Sequence, residues 1–165
     1  MDELQKGMDI ALHGPAADAA LRDCRAQLEL WGLTMPGVAP LVLDFGLGDF
    51  RRAGEIEFWV ANELEAGYCG KFLFVFAGQT CPLHHHRTKH ETFFVVKGNV
   101  RMTLGAAVQD MGEGAVLPVP PGQTHSFTGS GAALLLEVSR PCVIEDNYFA
   151  DTAIPIGGNW KGRVA

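Results

Sequence analysis

From Glu55 onward the chain is cut into short apolar runs, and this more than any other feature limits what it can fold into. "EIEFWVA", "GKFLFVFAG", "ETFFVVKG", "NVRMTLG", "GAVLPVPPG", "THSFTG" and "AALLLEVS" are rich in Val, Phe and Leu. Gly, Pro and Asp turns separate them about every 8–12 residues, the spacing of an antiparallel sandwich or barrel. The residues before them have a different period. In "ADAALRDCRAQLELWGL", Leu21, Cys24, Leu28 and Trp31 recur at helical spacing, and the Gly and Pro of "GLTMPGVAP" stop the helix. The expected layout is therefore a helical arm over 1–34 followed by an all-β barrel over 35–165. A single domain accommodates all 165 residues, since domains hold roughly 100–200. The tail "PCVIEDNYFADTAIPIGGNWKGRVA" shows no period and is predicted to be extended and turn-rich, packing its aromatic residues on the barrel or on a partner subunit.

Charge and cysteine usage narrow the function classes. Thirteen Lys and Arg against nineteen Asp and Glu leave a formal net charge of −6 with no basic run, which gives no electrostatic grip on nucleic acid or an anionic membrane. No apolar stretch approaches the roughly 20 residues that span a bilayer. Met1 opens a polar, acidic segment in place of a positively charged signal sequence. These features predict a soluble cytoplasmic protein whose partner is small or neutral. Four cysteines, Cys24, Cys69, Cys81 and Cys142, stand singly, unlike a zinc ribbon or a disulfide scaffold.

Five of the six histidines fall between His84 and His125. In "GQTCPLHHHRTKHETFFVVKG", His84 and His86 are two apart, so on a strand both side chains leave one face while His85 leaves the other. Glu91 opens the next run and shares its parity with Phe93 and Val95, which places its carboxylate inward. His125 enters a further strand after the Pro120–Gly122 turn. Three imidazoles and one carboxylate suit a divalent transition ion, Mn, Fe, Co, Ni or Zn, with positions left for water or substrate. His85 and His90 read as surface or supporting residues, and His13 as solvated.

These residues are also those of a known family. Gly78, His84, His86, Glu91 and Gly98 have the spacing of the first cupin motif. Gly114, Pro120, Gly122 and His125 have that of the second, with Gly129 where the family's trailing Asn stands. The resemblance implies a single cupin jelly-roll barrel with His84, His86, Glu91 and His125 as metal ligands. Within the cupins, "YCGKFLFVFAGQTCPLHHH", "KHETFFVVKG", "LLLEVS" and "DNYFAD" resemble the D-lyxose ketol-isomerase branch. That likeness implies interconversion of D-lyxose with D-xylulose, and of D-mannose with D-fructose, with Mn2+ as the usual metal. An Fe(II) dioxygenase and a non-catalytic metal- or sugar-binding cupin are the alternatives, since three His and one Glu also suit those roles.

An isomerase needs a base for the carbon-bound proton. Glu137 interrupts "AALLLEVS" on the parity of Ala133, Leu135 and Ser139, which makes it the candidate if that face points inward; an exposed or structurally paired carboxylate is the competing reading. Lys89 is the candidate to steady the developing oxyanion, against the reading of a solvated loop lysine. Lys71, opposite Phe72, Phe74 and Phe76, reads as marking a strand end rather than lining the barrel. Phe93, Phe94 and Phe127 read as core or wall. Asp146, Tyr148 and Asp151 either close the pocket mouth from the tail or form a surface turn. Cys81, three before His84, has the parity of the outward face. The stretch from Asn99 to Glu113 is short for a loop that walls off a sugar. Runs such as "TFFVV" are apolar on both faces, so one face fills the barrel and the other needs cover; a homodimer is expected.

Overall fold

A Pro at the first helical position and small or apolar residues at every third or fourth place explain the longer of two N-terminal helices. The computed structural model describes residues 2–158, with Trp160 of the tail outside that range. Helix α1 spans Glu3–Ile10 and α2 spans Pro15–Leu30. The single arm expected from sequence is thus two helices, parted at Gly14, whose φ of 75° breaks the helical path just before Pro15. Ala17, Ala20, Cys24 and Leu28 form the buried stripe of α2. Gly32, at φ 66°, ends it in the left-handed conformation while Leu33 N–H returns to the Leu28 carbonyl at 3.0 Å.

Eleven strands follow among the described residues: β1 Leu41–Leu43, β2 Glu55–Glu63, β3 Tyr68–Val75, β4 Thr80–His85, β5 Glu91–Lys97, β6 Val100–Leu104, β7 Ala107–Met111, β8 Val116–Val119, β9 His125–Gly129, β10 Ala133–Ser139 and β11 Tyr148–Phe149. They form a six-stranded sheet in the order β1-β2-β3-β10-β5-β8 and a five-stranded sheet in the order β11-β4-β9-β6-β7. All pairings within both sheets are antiparallel. This is the cupin jelly-roll architecture. The Asn99–Glu113 stretch is largely occupied by the β6–β7 hairpin.

The inner faces of the two sheets share one apolar core that includes Leu73, Val75, Phe93, Val95, Met102, Phe127 and Leu135. Each such side chain fully removed from water contributes about 1.5–3 kcal/mol. The outer face of β1, β2 and β3 is covered separately by α2, whose buried stripe meets Val42, Ile56, Phe58 and Phe74. That cover reaches Leu134 at the start of β10 but leaves Phe94 on β5, Val116 on β8 and Val138 on β10 37%, 60% and 50% exposed, so Phe94 belongs neither to the core nor to the inner wall as expected. Its even parity turns it away from Phe93.

Gly129 closes a crowded corner. Its N–H donates to the Gln79 carbonyl and its carbonyl accepts from Gly78 N–H, and a Cβ added there would lie 2.4 Å from the Phe76 carbonyl oxygen and 2.5 Å from that of Gly131. The family's Asn therefore has no room on this backbone. Gly129→Asn is expected to lower stability by about 3 kcal/mol, the upper end of the usual single-substitution range, in a thermal or denaturant melt. An unchanged midpoint would show that the corner yields.

Candidate active site

Strand pairing assembles the histidine cluster. β4 and β9 set His84 directly opposite His125, His86 follows at the end of β4, and Glu91 is the first residue of β5. All four are buried, and their donor atoms lie within 4.8 Å of one another. The expected ligand residues are thus brought together. His85 leaves the opposite face and stacks on Tyr148, and His90 and His13 are exposed.

Each imidazole of the cluster is oriented from behind. The Nδ1 atoms of His84, His86 and His125 face the backbone carbonyls of Pro82, Asp146 and Gln123 at 2.8, 3.0 and 3.0 Å. Carbonyls only accept, so each Nδ1 carries the proton and each Nε2 presents a lone pair inward, the tautomer a metal ligand requires. Burial, reinforced by the neighbouring imidazoles at His84 and by Lys89 at His86, pushes both of these histidines below the usual imidazole range and keeps them neutral. Burial alone would raise Glu91, but Lys89 and the facing imidazoles hold it well below the carboxylate range. His125 Nε2 and His86 Nε2 approach Glu91 Oε1 to 2.7 and 3.3 Å, yet none of these three atoms has a hydrogen-bond partner. Buried acceptors converging in this way are a high-energy arrangement that a shared cation relieves. The residues fit a divalent ion.

A second set of charges runs from this cluster across the six-stranded sheet. Lys89 Nζ lies 2.7 Å from Glu91 Oε2 and 2.9 Å from Glu137 Oε1. Lys71 Nζ lies 3.5 Å from Glu137 Oε2 and 2.8 Å from Glu57 Oε1. Ser139 donates to Glu137 Oε1 at 2.8 Å, and Trp59 Nε1 donates to Glu57 at 2.5 Å. Burial would strip both lysines of their protons, but Glu137, aided by Glu91 at Lys89 and by Glu57 at Lys71, holds both charged. Glu137 faces inward as its parity requires and is buried.

Three expectations are corrected here. Lys89 is not a solvated loop lysine, because the carboxylates of Glu91 and Glu137 draw it into the barrel, where it is 4% exposed. Lys71 does not mark a strand end. It shares parity with Leu73 and Val75, and the Phe72–Phe76 face is the one α2 covers, so the opposite face is the interior. Cys81 is buried and lines the cavity beside His84, because a register shift between Cys81 and His84 breaks the parity that pointed it outward. Its Sγ is not among the clustered donor atoms.

His84, Glu91, Lys89, Glu137 and Lys71 line one small cavity between the sheets. Its wall carries Glu55, Glu57, Lys71, Lys89, Glu91 and Glu137. Glu55 and Glu57 went unremarked in the sequence, although two same-parity carboxylates inside "EIEFWVA" pose the question that Glu137 poses.

Asp146, from the tail, ties down the loop beside the site. Its Oδ1 accepts from Arg87 N–H at 2.9 Å, and its Oδ2 accepts from Thr88 N–H, Lys89 N–H and Thr88 Oγ at 3.1, 3.0 and 2.8 Å. One carboxylate thus fixes the loop that delivers Lys89, while the Asp146 carbonyl orients His86. Asp151 is exposed and caps a local turn through Ala153 N–H. Burial would raise Asp146, but the bonds from Thr88, Arg87 and Lys89 outweigh it and hold the carboxyl below its ordinary value of 3.8. Asp146→Ala is expected to weaken metal binding about 10–100-fold, the scale for losing a residue that supports a ligand, measured by metal titration. Because the folded carboxyl titrates lower than the unfolded one, the stability it contributes is present above pH 3.8 and lost as pH falls through the folded value. The stability gap between wild type and Asp146→Asn should therefore hold at neutral pH and close in acid.

Comparisons with known proteins place this geometry. Residues 72–139 match the family described as Cupin domain. The chain is 41% identical over 66 residues to a D-lyxose/D-mannose isomerase of Thermosediminibacter oceani. The match covers 36% of this chain and 35% of that protein, so it spans about a third of the curated relative's length. Two solved L-ribose isomerases share the fold: that of Geodermatophilus obscurus, at TM-score 0.72, 14% identity and coverage of 88% of this chain and 95% of that one, and that of Acinetobacter sp. DL28, solved with L-ribose, at 0.71, 15%, 88% and 95%. The chain carries a cupin domain. Among cupins it resembles the D-lyxose ketol-isomerase branch. No helix among the described residues is long and apolar enough to cross a membrane.

Proposed function

We propose that the protein is a metal-dependent aldose–ketose isomerase acting on a small sugar such as D-lyxose or D-mannose. The observation that carries this reading is Glu137, an inward carboxylate held between two buried lysines in the same small cavity as the His/Glu cluster. Isomerisation moves a proton between C1 and C2 of the open-chain sugar. A divalent ion held by His84, His86, Glu91 and His125, with Mn2+ the first choice, would supply positive charge to adjacent sugar oxygens. Glu137 takes the proton from C2 of the aldose and returns it to C1, while the hydroxyl proton of O2 passes to O1, so that the carbonyl moves from C1 to C2. Lys89 donates a hydrogen bond to the oxygen that gains charge in the enediolate, and its ion pairs with Glu91 and Glu137 keep it protonated for that role. Phe93 and Phe127 keep bulk water from the reacting carbons.

Incubating the metal-loaded protein with D-lyxose and D-mannose and assaying the ketose tests the reading. D-xylulose and D-fructose are the expected products. No turnover of any aldopentose or aldohexose at full metal occupancy sinks it, and oxygen uptake under Fe(II) would point to a dioxygenase instead. As partner beyond the sugar we propose a second copy of the chain, seated on the Phe94, Val116 and Val138 face that α2 leaves open. Light scattering should report a dimer that Val138→Lys disperses.

A further inference from the structure

The cavity wall farthest across the sheet from Glu91 carries a carboxyl group that none of the steps above uses. Glu55 opens β2, faces inward and is only 4% exposed. Its neighbour on the same face, Glu57, is fully engaged, with Oε1 on Lys71 and Oε2 on the Trp59 indole. Glu55 has no such cation, and its Oε2 is buried without any hydrogen-bond partner. Burial first, then the charge of Glu57, pushes the Glu55 carboxyl well above the usual range, while a hydrogen bond to Glu57 takes up its proton. The Cys81 thiol, a weak donor, also faces this carboxyl group, yet Oε2 itself is left without a hydrogen-bond partner. Such an orphan is costly inside a protein, about as costly as a lost hydrogen bond, unless something entering the cavity satisfies it.

We propose that Glu55 is a substrate-binding residue whose free oxygen accepts a hydrogen bond from a hydroxyl of the sugar chain beyond the reacting C1 and C2 carbons. This extends the isomerase reading and rests on it. The chemistry selects a polyol, because a hydroxyl brings the donor that Oε2 lacks without adding a charge beside Glu57. It also makes a definite statement about substitution. Gln in place of Glu55 keeps an N–H for Glu57 and a carbonyl for the sugar, so it serves nearly as well. Leu provides neither. A base or an ionised ligand at this position would fail with Gln.

The test compares wild type, Glu55→Gln and Glu55→Leu on the best aldose and on its 3-, 4- and 5-deoxy analogues, with binding of xylitol and deoxy-pentitols followed by calorimetry. Thermal melts confirm that the variants fold. Glu55→Leu should raise KM roughly tenfold, the scale of one hydrogen bond, with a smaller change in kcat, and Glu55→Gln should stay within about threefold of wild type. One deoxy analogue should cost wild type about tenfold and cost Glu55→Leu nothing further, a coupling that a merely structural carboxyl pair would not produce. The proposal is overturned if Glu55→Leu keeps the wild-type sensitivity to every deoxy position, or if Gln damages binding as much as Leu. Pentitol binding that shows the coupling without any aldose turnover would support Glu55 and overturn the isomerase reading. Absence of both turnover and pentitol binding overturns both.

Discussion

Glu137→Gln is expected to slow aldose–ketose interconversion by about 10²–10⁴-fold, the usual worth of a positioned general base, while metal content stays close to wild type and the melting temperature falls because Lys71 and Lys89 lose a buried charge partner. Gln fills the same volume and still accepts from Ser139 and Lys89, whose bonds to Oε1 are 2.8 and 2.9 Å. What it lacks is the basic oxygen. Exchange of the substrate's C2 proton with deuterated solvent should fall in step with turnover, because both begin with the same proton abstraction. Lys89→Met tests the adjoining role and should depress kcat more than it raises KM, since the charge it steadies exists in full only after the proton has moved. A Glu137→Gln variant that keeps more than about a tenth of wild-type turnover would remove this carboxylate from the chemistry. Loss of metal together with activity would assign it instead to the surroundings of the ion.

His125→Ala should have the second largest effect, because it removes the residue directly opposite His84 and the closest neighbour of Glu91 Oε1, at 2.7 Å. The variant should purify with little metal and without isomerase activity. Wild type gains stability from any ligand that binds only the folded state, about 2.7 kcal/mol at a concentration 100 times the dissociation constant. For a chain of this size that corresponds to a rise in melting temperature of roughly 5–10 °C. Mn2+ should produce that rise in wild type and not in His125→Ala, and a chelator should abolish it. An equal rise in both would mean that the ion binds elsewhere.

Much of the site was legible because it obeys strand parity. His84 and His86 project together and His85 away, Glu91 aligns with Phe93 and Val95, and Glu137 aligns with Leu135, all as a period of two requires. The failures have equally local causes. Cys81 misled because a register shift in β4 resets the period three residues before His84. Lys71 misled because phenylalanines on alternate positions suggest a core face, whereas Phe72, Phe74 and Phe76 serve the contact with α2. Which of two apolar faces is the inside of a barrel is decided by what covers the outside, and a strand in isolation carries no record of that. Phe94 is the converse case: its outer face is apolar but left bare by α2.

Glu55, Glu57 and Asp146 show where linear reading stops. Their importance comes from Lys71 and the Arg87–Lys89 loop, partners that chain topology delivers, with 14 residues separating Lys71 from Glu57 and 57 to 59 separating Asp146 from the loop atoms it binds. The sequence by itself determined the short strands, the helical start and the four residues of the His/Glu cluster, because turn chemistry and side-chain alternation are local properties of the backbone. Only the tertiary structure decided which face of each strand is enclosed, and that the enclosed face holds a connected line of buried charges beside the cluster. Burial and pairing depend on neighbours across the sheet, and the energies that make a lysine stay charged or a carboxyl stay neutral exist only once those neighbours are in place.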